Sequence, residues 1–147
     1  MIDSTSMDME TNGMALFKKL QFKDGMKPVF FQVPEYLVKE LQHFPVVAED
    51  VPDGKELDFV MAFVQESWEA EAAAEKFLHL LRQDALLWFC YPKKSSALRS
   101  AGLSRDHGWD FLLQKDFLPV RIISVDENWS ALRFRHRSLI SKITRKF

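Results

Sequence analysis

Residues 85–91 form an unbroken apolar run, Ala85, Leu86, Leu87, Trp88, Phe89, Cys90 and Tyr91, and Pro92, Lys93, Lys94, Ser95 and Ser96 end it at once. A run this short and this apolar predicts a strand buried on both faces. Such a strand needs a covering layer on each side. The abrupt polar stop marks its carboxyl end, where open α/β sheets place their ligand crevice.

The rest of the chain supplies elements of the matching kind. Residues 27–33 are rich in β-formers, with Pro28 at the start of the strand, where its missing N–H does least harm. Pro34 stops that strand and suits the first turn of a helix over 35–42, with Tyr36, Leu37 and Leu41 on one face. Residues 44–47 read as a short strand, and Pro52, Asp53 and Gly54 as a turn. A third strand covers 57–64. Apolar residues at 70, 73, 74, 77, 78 and 81 then predict an amphipathic helix over 67–83, with Ser67 as its cap. Ser104 would cap another helix over 105–115, which Gly108 weakens by roughly 1 kcal/mol. Residues 119–125 and 129–135 flank the turn formers Asp126, Glu127 and Asn128, the pattern of an antiparallel hairpin. Strands alternating with helices imply an α/β fold: one Rossmann-like domain with a mostly parallel sheet, helices on both faces and an antiparallel C-terminal hairpin.

Composition sets the limits. With 147 residues the chain is the length of one ordinary domain. Residues 1–13 are polar and acidic, lack a signal peptide's apolar centre and read as a disordered leader; the domain spans 14–137, and 138–147 form a basic tail. The formal net charge of −1 gives no whole-protein field for nucleic acid or anionic lipid, so neither is the expected partner. No apolar run reaches membrane-spanning length. Cys90 is the single cysteine, which excludes an internal disulfide and suits a reducing cytoplasm. Inside a strand its thiol is inert. His43, His79, His107 and His136 lack metal-ligand spacing, so no metal is expected.

Two short patterns carry a resemblance. Trp88, Pro92, Lys93 and Lys94, followed by Val125, Asp126, Glu127, Trp129, Ser130, Leu132 and Phe134, make a chain that resembles a family of small bacterial proteins with a Rossmann-like domain of unknown function. The resemblance spans 14–137 and implies a fold but no activity. The element order, with its last strand reversed, also looks like a shortened class I methyltransferase sheet. Cofactor-binding sheets of that kind have a glycine-rich turn after the first strand. Here the place reads Val33, Pro34, Glu35, Tyr36, Leu37, with no glycine, and only Glu49 or Asp50 stands near the usual position of a ribose-holding carboxylate. No cofactor is expected.

The candidate site gathers at the strand ends. Lys93 and Lys94 offer two ammonium groups to a phosphate or carboxylate, with Ser95 and Ser96 as further donors; the plainer reading is a solvated loop. Tyr91 ends the strand beside them, and Pro34 and Glu35 follow the first strand. Asp126, Glu127 and Trp129 lie in the hairpin, where turn chemistry and anchoring of the hairpin on the core are the favoured account, against a role for Asp126 or Glu127 as an acid/base group or as a partner for Lys93. No residue stands out as catalytic. The first expectation is therefore a non-catalytic binding or interaction module taking a small anionic or nucleotide-like ligand, or a protein partner. The alternatives are a small S-adenosylmethionine-dependent transferase with an altered pocket near Glu35, Lys93 and Asp126, and a nucleic-acid binder working through the basic tail.

Overall fold

A computed structural model describes residues 15–41 and 56–140. A helical turn at 15–19 (α1) precedes β1 (Pro28–Phe31) and α2 (Glu35–Leu41). β2 (Leu57–Phe63) leads into α3 (Ser67–Phe77), a 3-10 turn at Leu78–Leu80 and β3 (Leu81–Pro92). The chain continues through α4 (Asp110–Gln114), β4 (Phe117–Ser124) and β5 (Trp129–His136). This is an α/β arrangement with one five-stranded mixed sheet in the order β1-β2-β3-β5-β4. β1–β2 and β2–β3 pair in parallel, and β3–β5 and β4–β5 antiparallel. The pairings thus divide evenly, where the sequence suggested a mostly parallel sheet.

The apolar run behaves as its composition requires. From Ala85 to Pro92 every residue of β3 is buried. Alternate side chains feed two cores, because successive residues of a strand point to opposite faces. On one face Leu86, Trp88 and Cys90 join Phe30, Phe59 and Met61, and this layer is covered by Leu16, Phe17 and Leu20 of the α1 region with Leu37 and Leu41 of α2. Trp88 donates its indole N–H to the Leu20 carbonyl at 3.0 Å, which ties the α1 region to the central strand. On the other face Leu87, Phe89, Val60, Ala62 and Phe134 meet Ala70, Ala73, Ala74 and Phe77 of α3 and Leu112 of α4. The three alanines let α3 lie close to the sheet. Each large apolar side chain removed from water in these layers contributes about 1.5–3 kcal/mol.

Three helix expectations need correction. The helix predicted over 67–83 ends at Phe77, and Leu81, Arg82 and Gln83 belong to β3. Leu78, Leu80 and Leu81 still pack on the core, but from a 3-10 turn and a strand start, so the same burial is met without a helix. Ser67 is not the cap of α3. That position is Glu66, whose N–H donates to the Glu69 carboxylate at 3.0 Å, while the Ser67 hydroxyl donates to the Gly108 carbonyl. The helix predicted over 105–115 is only Asp110–Gln114, with Trp109 and not Ser104 before it. Gly108 at φ +96 breaks the helical path, and its backbone runs against Gly102.

The expected leader at 1–13, the strand at 44–47, the turn at Pro52–Gly54, Glu49, Asp50, His43 and tail residues 141–147 lie outside the described residues. Among those described, no helix is long and apolar enough to cross a membrane.

Candidate functional site

β3 and the β4–β5 turn meet at the carboxyl end of the central strand, and backbone chemistry fixes how. The Lys93 N–H donates to the Asn128 carbonyl at 2.8 Å. The Ser96 N–H closes a turn onto the Lys93 carbonyl at 2.9 Å. Ser96 is buried, and its hydroxyl donates to Asn128 Oδ1 at 3.1 Å while accepting from the Leu98 N–H at 3.0 Å. The loop that leaves β3 is thus pinned to the hairpin turn at its first and fourth residues.

Asp126 organises that turn. Its Oδ1 accepts from the N–H groups of Asn128 (2.8 Å) and Trp129 (2.9 Å), the short-range pattern that makes aspartate a turn former. Its Oδ2 accepts from the Tyr36 hydroxyl at 2.8 Å, which fastens the start of α2 across the strand ends. Partial burial raises the Tyr36 phenol above its ordinary pKa, and the Asp126 carboxylate adds to the rise against an opposing hydrogen bond from Asn128. Trp129 is buried, with its ring edge-on to Phe63 at 5.2 Å. Burial also pushes the Cys90 thiol well above its usual pKa, so it stays protonated within the core.

On the α3 side of the sheet the same strand end opens into a cleft of about 1010 Å³. Tyr91, Pro92 and Ser130 line it from the strands, Lys93 and Lys94 from the first part of the loop, and Arg99, Ser100, Arg105, Asp106 and His107 from the second. Four of these side chains are lysines or arginines and one is a carboxylate. The Lys93 ammonium donates to Ser124 Oγ at 2.7 Å. Arg105 pairs with Asp106 at 3.4 Å, both exposed. Lys94 and Arg99 are exposed. The far wall is held by side chains too: Ser100 donates to Glu66 at 2.8 Å, and the Trp109 indole donates to the Ser104 carbonyl at 2.7 Å. Burial raises the Tyr91 phenol above its ordinary pKa, and a hydrogen bond with Ser130 opposes it.

Of the residues singled out from sequence, Tyr91, Lys93 and Lys94 line this cleft. Ser95 is exposed and Ser96 buried, on the pinned turn. Asp126 and Trp129 stand behind the cleft, reached through Ser124, which donates to the Asp126 carbonyl at 3.3 Å. Glu127 is exposed at the turn; Glu35 begins α2 and Pro34 precedes it, away from the cleft lining. Sequence reasoning missed Arg99, Arg105, Ser124, Asn128 and Ser130. The signal for the first two was in plain sight, since residues 93–107 hold four cations against one carboxylate. Among the described residues, no group of histidine, cysteine and carboxylate side chains is arranged to hold a metal ion. Compared with known families and curated proteins, the chain matches no family model and no curated sequence.

Proposed function

We propose that this protein is a non-catalytic binding module whose cleft beside Tyr91, Lys93 and Lys94 takes an anionic ligand. One observation carries the reading. A chain of net charge −1 concentrates four cations against one carboxylate around a single cleft at the end of its central strand. Clefts lined by one sign of charge raise the local concentration of the opposite sign. The Ser104 hydroxyl, also in the lining, supplies a further donor for a phosphate or carboxylate oxygen. A reducing, cytoplasmic setting belongs to the same reading, on the strength of the lone buried cysteine, and a bacterial source rests on the sequence resemblance alone.

The Rossmann-like description of the fold is part of this proposal. An antiparallel β5 between β3 and β4 supports the likeness to a shortened methyltransferase sheet. The placement of α2 and α3 speaks against a close likeness. β1 to β2 and β2 to β3 step the same way across the sheet, yet the two helices pack on opposite faces, whereas right-handed crossovers stepping one way share a face. The transferase alternative is weaker for a second reason: Tyr36 closes onto Asp126 at the exit of β1, where a nucleoside would need room.

Thermal unfolding with inorganic phosphate, ADP and S-adenosylmethionine tests the reading. A ligand at about 100 times its dissociation constant adds roughly 2.7 kcal/mol, which raises the midpoint by several degrees. Phosphate or ADP should produce that rise, and Lys94→Ala with Arg99→Ala should remove it while leaving the unliganded midpoint in place. A rise that survives both substitutions, or no rise with any anion, overturns the proposal.

A further inference from the structure

Two of the large apolar side chains left exposed stand at the same end of the molecule as the cationic cleft. Tyr36 is 53% exposed and Trp68 69%. Tyr36 is joined to the loop after β3 through Asn128, whose side chain reaches both the Tyr36 hydroxyl (3.5 Å) and Ser96 (3.1 Å). Trp68 follows Ser67, whose hydroxyl donates to the Gly108 carbonyl in the segment that carries Arg105 and His107. The exposed Trp68 thus stands next to the residue that holds the far wall of the cleft, while Tyr36, bonded to Asp126, stands behind the cleft; neither ring is part of the lining. Neither ring is needed to fill a core.

Three of the carboxylates nearby are already engaged, while Glu35 and Glu127, exposed and outside the cleft lining, make no ion pair among the described residues. Asp126 accepts from Tyr36 and from two turn N–H groups, Glu66 accepts from Ser100, and Asp106 pairs with Arg105. Lys94 and Arg99 have no ion pair or side-chain hydrogen bond among the described residues. An open groove with uncommitted cations and an exposed aromatic ring beside it is a combination that holds single strands, since ammonium and guanidinium groups track the backbone while bases stack on rings.

We propose that the anion this cleft takes is the sugar–phosphate backbone of a single-stranded nucleic acid, with Trp68 offering a stacking face to its bases. This rests on the anion-binding reading above and names the ligand for it. The net charge of the chain pointed away from nucleic acid; the local distribution of that charge points toward it.

The test is anisotropy of fluorescein-labelled dT12 and U12 with the full chain, alongside the phosphate and ADP titrations. Four backbone contacts predict that affinity falls about 50-fold between 50 and 200 mM salt. Lys94→Ala with Arg99→Ala should roughly halve the slope of log affinity against log salt. Trp68→Ala should weaken binding by about 5-fold to 150-fold, and Trp68→Phe by less; an unchanged circular dichroism spectrum is expected for both, because Trp68 is on the surface. Binding that survives the charge and the tryptophan substitutions lies elsewhere on the chain and overturns the proposal, as does equal binding of poly-glutamate. Stabilisation by phosphate or ADP without oligonucleotide binding overturns the nucleic-acid assignment alone. Silence from every anion overturns both.

Discussion

Gly108 is the residue on which the cleft wall turns. A Cβ there would lie 2.4 Å from the Gly102 carbonyl oxygen and 2.8 Å from Leu103 Cδ1, and φ is +96. Backbone, not a flexible tip, is the nearest obstacle. Gly108→Ala should therefore destabilise by more than about 1 kcal/mol, read as a lower urea midpoint at unchanged m-value. It should also blunt the phosphate response, since Arg105 and His107 precede it. Asp84 is a second special position, at φ +59 between the 3-10 turn and the apolar part of β3. Its carboxylate accepts from Arg135 Nε at 2.7 Å and lies 3.4 Å from Arg133. The Arg135 hydrogen bond holds its pKa below the ordinary carboxylate range, with the charges of Arg135 and Arg133 helping and partial burial opposing. A depressed folded pKa gives stability that is present above the unfolded value and is lost as pH falls through the folded one. Asp84→Asn keeps a side chain tolerant of positive φ and removes the titrating group. The variant should lose less stability than the parent on acidification below about pH 4, measured by urea unfolding at a series of pH values.

At the scale of elements, β3 was legible from the sequence and its neighbours less so. An apolar run ended by Pro92 and two lysines has few ways to fold, and the structure buries every residue of it. The 3.6-residue pattern of α3 was legible as well, but it overran the helix by six residues, because Leu78 and Leu81 satisfy the same core from a different backbone path. The helix after Gly102 was misread for a related reason. Ser104 and Gly108 look like a cap and a weak interior residue, whereas their backbones are spent on Trp109 and on the approach to Gly102. The site divides along the same line. Lys93 and Lys94 follow from position in the chain, and Arg99 and Arg105 from the cationic stretch 93–107, while Ser130 reaches the cleft only through strand pairing with Tyr91. The attachment of the α1 region is an example that no local pattern predicts. Trp88→Phe would leave the buried Leu20 carbonyl without its 3.0 Å donor. The expected cost is about 1–3 kcal/mol, with amide exchange at 16–20 quickened beyond that of the other elements.

On the scale of the whole molecule, the sheet joins two halves with different pairing: a parallel set from β1 to β3 and an antiparallel hairpin of β4 and β5. The cleft lies where the halves meet, and the Asn128 contacts with Lys93 and Ser96 close the seam beside it. The order of the strands has a further consequence for how the protein is made. Among the described residues β5 is the last strand along the chain, yet it occupies an interior position between β3 and β4. During synthesis β3 therefore leaves the ribosome with one side paired to β2 and the other bare, and Leu87, Phe89 and Cys90 wait for partners more than forty residues downstream. An unpaired apolar strand edge is what chaperones shield and what neighbouring chains capture. A ribosome stalled before Trp129 would thus release a fragment built to aggregate, and quality control of this protein begins at its own central strand.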